Sequence, residues 1–287
     1  MEHVSLGIRS VAIVIDISQP YSQHTPMFDL AAFSADAFWG FLQVFVRVSS
    51  LFVTAPVFGS REVPPQVKIG LATILSLVLL PLVKSTLGAS VPGTLYSMVG
   101  MLLGQALIGL LIGFIVSLIF VAVRVGGDLI DYQMGFTQAA TFNPQFNETV
   151  SPIASFQYRY AMILYLIANG HWLLLASLER SFSLLPVAQL SVARLAGSFT
   201  DISFGMLVAG LQIAAPAAAV LLVTDIAFAF LNRAMPSMQV FYVGMPVKVI
   251  VGFVILIAIL PLLTFSISHL VAGSPDQVAL LLRGIHR

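Results

Sequence analysis

Residues 94–123 read TLYSMVGMLLGQALIGLLIGFIVSLIFVAV, thirty residues without a charge. An apolar run longer than about 18 residues reads as a membrane-type helix. This one would be ~45 Å long, well beyond the ~30 Å of a hydrocarbon core. The composition of the whole chain agrees. Of 287 residues, 59% are hydrophobic and 9% charged, against about 25% charged in an ordinary soluble domain. Thirteen basic and twelve acidic residues cannot cover a water-soluble globule of this size. Disorder is excluded as well, because it needs low hydrophobicity and high charge. A net charge of +1 offers no electrostatic footprint for nucleic acid. The absence of cysteine removes disulfides, thiol nucleophiles and thiolate metal sites.

Outward from this run, five more apolar stretches predict an all-α, polytopic protein of about six kinked helices. The first spans Ala37 to Val57, with Arg47 in its middle. Pro56, Gly59 and the pair Pro64-Pro65 then break it, and Pro65 suits the first turn of the next helix. That next stretch, Ile69 to Val83, has only 15 uncharged residues, ~22 Å of helix. Beyond the central run come Tyr160 to Leu178, Ile202 to Asn232 (with Pro216 and Asp225), and Val249 to Pro275 (with Pro261). Gly126 to Gln157 reads as a polar connecting segment, and Asp276 to Arg287 as a short amphipathic helix at most. Residues 1–30 read as an N-terminal extension. Their apolar part, Val11 to Ile15, is too short for a signal peptide and is followed by Asp16.

Six spans would place six basic residues on each side. Arg9, Lys84, Arg180, Arg194, Arg283 and Arg287 fall on one, and Arg61, Lys68, Arg124, Arg159, Arg233 and Lys248 on the other. The positive-inside rule therefore assigns no orientation. Apolar lengths of 15 and 30 residues in one chain fit a simple bundle poorly. Helices packed against protein as much as against lipid account for both facts.

Several residues invite a functional reading. Gly100 and Gly104, and Gly109 and Gly113, are spaced four apart, so each pair lies on one helix face where another backbone can approach. Arg47 and Asp225 are ionisable groups inside apolar stretches, costly there unless paired or wet. A proton relay is one reading. A structural pair, or contact with a water-filled cavity or another subunit, is favoured, because one acid is thin evidence for coupled transport. Asp128 and Asp131 read as a solvated helix terminus with Arg124 as a local partner. His171 reads as a hydrogen-bonded helix histidine, since no second ligand stands at metal-binding spacing. No phosphate-binding loop, HExxH or GxSxG occurs, so the chain is expected neither to hydrolyse a nucleotide nor to supply its own energy. The segment from Met134 to Pro152 is polar yet displays Met134, Phe136, Phe142 and Phe146, either to plug a wet pore or as stray aromatics on a surface loop.

Taken in order, these blocks resemble one family. Thr54-Ala55-Pro56-Val57-Phe58-Gly59-Ser60, Val63-Pro64 and Val67-Lys68-Ile69-Gly70-Leu71 come first. Gln133-Met134-Gly135 through Asn143-Pro144 and Asn169-Gly170-His171 follow. Leu231-Asn232-Arg233-Ala234-Met235-Pro236, Val240-Phe241 and Gly244-Met245-Pro246-Val247-Lys248 close the set. The series is similar to the FliR family of flagellar biosynthesis proteins, over about Phe38 to Leu270.

The resemblance implies a non-enzymatic, cofactor-free subunit of the flagellar type III export gate. Its place would be the bacterial inner membrane and the flagellar basal body. Its implied partners are FliP-like and FliQ-like subunits in a helical ring, an FlhB-like switch protein, unfolded export substrates and lipid. It further implies a FliP-like part over 31–200, a FliQ-like hairpin over 201–272 and a tail over 273–287. Gln133, Met134, Gly135, Phe136, Phe142, Asn143, Pro144 and Phe146 would then belong to a pore plug (133–147), more polar than usual at Thr137 and Gln138. The break at Pro56, Gly59, Pro64 and Pro65 would be a helix bend. Asn232, Arg233, Pro236, Phe241, Gly244, Pro246 and Lys248 would form the FliQ-like turn. A virulence-type secretion subunit is the same machine with other cargo. A small-solute secondary transporter is the alternative of a different class, and it would call for inverted repeats, which are not evident.

Overall fold

The thirty-residue run supplies the N-cap and the N-terminal three quarters of a longer helix that organises the molecule. In this computed structural model the described residues are 35–60, 63–84, 86–87, 91–136, 151–184, 192–235 and 240–286. They fold into helices α1 (Ala35–Thr54), α2 (Pro65–Val83), α3 (Leu95–Met134), α4 (Pro152–Ile167), α5 (Gly170–Leu184), α6 (Val192–Ala234), α7 (Val240–Ala272) and α8 (Ser274–His286), with no strand among them. The proposed extension over 1–30 lies outside the described residues.

Among the described residues, five helices are long and apolar enough to cross a membrane, and the bent pair α4–α5 makes a sixth candidate. The stretch Tyr160 to Leu178 is thus two helices meeting at 69°. The break falls at Asn169, whose φ of 56° is left-handed and interrupts the helical path. Tyr165 caps the corner by donating its hydroxyl to the Gly170 carbonyl oxygen at 2.7 Å.

Helix starts follow local chemistry. Thr94 is extended, and its hydroxyl accepts the Ser97 N–H at the head of α3. Proline occupies the first turn of α2 and of α4, where its missing N–H has no intrahelical partner to lose. Gly135 ends α3 at φ 88°, with its N–H on the Asp131 and Tyr132 carbonyls. Pro81, Pro216, Pro246 and Pro261 stand inside helices, which membrane-type helices tolerate when neighbours satisfy the freed carbonyls.

Of the segment expected to be a polar connection, Gly126 to Gln157, residues 126–134 are instead the last turns of α3 and residues 152–157 the start of α4. The exposed polar groups at this end of α3 lie on one stripe, Arg124, Asp128 and Tyr132, while Val123, Gly126, Gly127, Ile130, Met134 and the remaining charge, Asp131, are buried. An i, i+4, i+8 stripe of polar groups continues a helix whose other faces remain apolar.

α3 packs most extensively against α1 and α6, then α4. It runs parallel to α1: Arg47 meets Gln105, and Thr54 donates its hydroxyl to the Leu110 carbonyl at 3.0 Å. It runs parallel to α6, with Phe114 stacked on Phe199 and Gly126 against Gly210. α4 is antiparallel to it, since Phe120 meets both Tyr158 and Tyr165 edge-on. The main core gathers around Val48, Leu51, Ile108, Ile112, Ile115 and Ile119. A second cluster closes the far end of α3 around Ile130, Met134, Ile153, Ala217, Leu221 and Leu256. α8 adds Val278, Leu281 and Leu282 to the main core from an amphipathic face. α6 begins at Val192 and passes unbroken through residue 200, so the expected part boundary falls inside a helix.

Candidate functional site

Three groups of residues lie on α3 or against it. The first is the glycine series. A Cβ on Gly109 would overlap Ser50 Oγ and the Arg47 carbonyl. One on Gly113 would overlap Thr54 Oγ1 and lie 2.7 Å from the Leu51 carbonyl oxygen. Here α1 and α3 touch backbone to backbone. Between helices that exclude water, this close approach supplies packing and weak hydrogen bonds that bulky residues would prevent. Gly104 is buried, whereas Gly100 is exposed with open space around it. Further along the helix Gly126 meets Gly210 of α6, and Gly127 meets the backbone of Ala154 in α4.

The second group surrounds Arg47, which is 1% exposed. Its Nε donates to Gln105 Oε1 at 2.6 Å and its Nη1 to Ser181 Oγ at 3.0 Å. Its guanidinium lies 4.0 Å from the Phe182 ring centroid. Gln105 Nε2 in turn donates to Gln43 Oε1 at 3.2 Å. Among the described residues no carboxylate reaches Arg47. The buried cation is held by neutral acceptors and an aromatic face, a cation–π contact that strengthens when desolvated. Asp225 is elsewhere: it pairs with Lys248 across α6 and α7, with 40% and 23% of the two side chains exposed. Arg47 and Asp225 therefore do not meet. Gln105, Ser181 and Phe182 were not singled out in the sequence, although Gln105 is the lone amide in its apolar run.

The third group lies at the C-terminal end of α3. Gln133 and Met134, expected in a loop, belong to the helix itself. Met134 is 1% exposed and its thioether fills the notch over Gly252 of α7. Phe136 packs partly buried on the second core cluster. Phe142, Asn143, Pro144 and Phe146 lie outside the described residues. Asp131, expected to be a solvated terminus, is fully buried. Its Oδ1 accepts the Ile153 N–H at 3.1 Å and its Oδ2 the Ala154 N–H at 2.9 Å. These N–H groups open α4 and have no intrahelical acceptor, and Ser151 at the cap position makes no side-chain bond to them. Asp131 thus caps α4 from α3, and the positive end of the α4 dipole compensates its charge. Asp128 stays exposed. Gln157, one turn deeper in α4, is buried with neither amide atom partnered among the described residues.

The remaining expectations resolve individually. Pro56 is buried and Gly59 sits close against the Ala55 carbonyl, whose oxygen accepts its N–H at 2.7 Å, at the corner before Pro64 and Pro65. His171 lies in the first turn of α5, but its Nδ1 has no partner among the described residues, contrary to the expected hydrogen bond. The turn expected over 232–246 is shorter. Asn232 and Arg233 end α6, Phe241 and Gly244 open α7, and Pro246 and Lys248 are within it. Pro236 lies outside the described residues. Gly244 rests on the Phe228 ring, so α6 and α7 are antiparallel.

Comparison with known proteins decides the family. The model of bacterial export proteins, family 1, matches residues 38–273, from the first turn of α1 to the end of α7. The flagellar biosynthetic protein FliR of Bacillus subtilis (strain 168) is 34% identical over 233 residues, covering 77% of this chain and 86% of the relative. That of Pectobacterium carotovorum subsp. carotovorum is 33% identical over 261 residues, covering 88% and 94%. That of Escherichia coli (strain K12) is 31% identical over 241 residues, covering 81% and 87%. The chain belongs to the FliR family of bacterial export proteins. The family match takes in all three groups on α3, the Asp225–Lys248 pair and the α6–α7 hairpin.

Proposed function

We propose that this FliR-family chain is a non-enzymatic subunit of the flagellar export gate in the bacterial inner membrane. The supporting observation is the match to FliR proteins over most of both sequences. In this reading it assembles with FliP-like and FliQ-like subunits, and with an FlhB-like switch protein, around a pore. Unfolded flagellar proteins pass through that pore, and the energy comes from other components. The helices up to α5 form the FliP-like part and the α6–α7 hairpin the FliQ-like part, with α8 as the tail. The exposed apolar side chains of α2, α6 and α7, such as Ile74, Phe230 and Ile257, then face sister subunits and lipid. Residues 133–147 act as the plug, rooted by Met134 in the second core cluster.

Two measurements test this. Affinity purification of the chain from its native membrane should recover FliP-like and FliQ-like proteins in fixed ratio. Solute uptake by the purified single chain in liposomes would instead mark it as a transporter. Deleting 136–146 should make membranes with an assembled gate leak small ions. Unchanged permeability with the gate assembled rejects the plug role.

A further inference from the structure

The carboxylate of Asp131 does more than a helix cap requires. A local cap from Ser151 would satisfy one of these N–H groups, yet Ser151 makes no such bond and both acceptors come from a residue 22 and 23 positions earlier in the chain. Asp131 sits one turn before the end of α3, directly across from the first turn of α4. Gly127, one turn further back, lets the α4 backbone approach so closely that a Cβ there would meet Ala154 N at 2.9 Å and its Cα closer still. The two contacts are separated by one turn on the same face of α3, so together they fix the spacing and direction of α4. Asp131 is fully buried and no cation meets it among the described residues. Its charge is compensated by the α4 terminus alone, so α4 cannot move away without stranding a buried carboxylate.

We infer that Asp131 is a positioning residue: from the last turns of α3 its carboxylate holds the start of α4 in place, and so sets where the chain leaves α3 and where it re-enters the fold. This predicts that α4 loses its position, and not merely its first-turn hydrogen bonds, when the carboxylate is removed. The consequence for pore closure rests on the gate reading above, whereas the placement of α4 does not.

The test separates capping from positioning. In the assembled membrane complex, Asp131→Ala should raise amide exchange in the first turn of α4 at least about tenfold, since a charge-assisted pair of bonds is lost. Adding Ser151→Asp to that variant supplies a local cap with no link to α3. Exchange should then return towards the parent rate. The distance distribution between nitroxides at positions 132 and 156, both exposed, should nonetheless stay broad, as in Asp131→Ala alone. The chain has no cysteine of its own, so two introduced thiols label these sites cleanly. A narrow, parent-like distribution in either variant overturns the inference, and so does unaltered exchange in Asp131→Ala. Asp128→Asn, an exposed change on the same turn, should leave both readings at the parent value. Ion leak through the assembled gate forms a separate arm. A broad distribution with no leak upholds the positioning of α4 and counts against the plug reading.

Discussion

Helices α3 and α7 are nearly equal in apolar content, and the fold treats them in opposite ways. Of the most apolar window in α3, 67% is buried inside the chain; in Gly244–Leu282 the figure is 28%. α3 presents glycine to three neighbours, at Gly109 and Gly113 to α1, Gly126 to α6 and Gly127 to α4. α7 shows Ile250, Phe253, Val254, Ile257, Leu262 and Phe265 to the outside. The difference teaches that apolarity alone does not tell a helix that packs on its own chain from one that packs on something else. Where water is absent, lipid and leucine are equivalent, and small residues that admit a second backbone decide association.

The contrast can be tested on glycine itself. Alanine exceeds glycine in helix propensity by about 1 kcal/mol, so the sign of each substitution reports the space around it. Gly113→Ala has the largest expected effect. Its Cβ would press on the Thr54 hydroxyl and on the Leu51 carbonyl, the latter backbone that cannot yield, and the expected loss is about 2–3 kcal/mol. It should appear as a lowered unfolding midpoint of the solubilised chain and poor recovery of the complex. A parent-like midpoint would mean that α1 and α3 are not in backbone contact. Gly252→Ala in α7 meets only the flexible end of Met134, so a net change of about 1 kcal/mol or less is expected. Gly100→Ala has open space and should be neutral or stabilising by up to about 1 kcal/mol. A destabilisation there in the complex, but not in the isolated chain, would locate a partner on the first turns of α3.

A polar substitution on the exposed face gives the smallest expected change in the chain itself. Ile257 is 72% exposed, so Ile257→Asn should alter the midpoint of the isolated chain by about 0.5 kcal/mol or less. If the proposed gate buries that side chain at a subunit contact, recovery of FliP- and FliQ-like partners should nevertheless fall. Full recovery would assign that face of α7 to lipid.

Much of the architecture was legible in the chain. The apolar runs became helices, Pro65 opened one of them, and the unequal lengths were apparent in the sequence itself. Legibility failed wherever a contact joined distant residues. Arg124, Asp128 and Asp131 read as the polar end of a helix, yet two of them point outward and the third is buried against α4. Four residues of sequence separate 127 from 131, and only the arrival of α4 distinguishes them from 124 and 128. Arg47 read as a charge in want of an acid; the fold supplies Gln105, Ser181 and a ring face from α3 and α5. The four glycines of α3's first half looked alike, and only packing separates crowded Gly113 from open Gly100.

Composition and periodicity by themselves determined an all-helical chain of membrane-type segments, because backbone in an apolar medium must satisfy its hydrogen bonds internally. The order of residues also carried the family. Tertiary structure alone decided which apolar faces are buried, which glycines touch backbone, and how each buried charge is compensated. Those outcomes depend on which helices lie side by side, and distance across a packed interface is not written in distance along the chain.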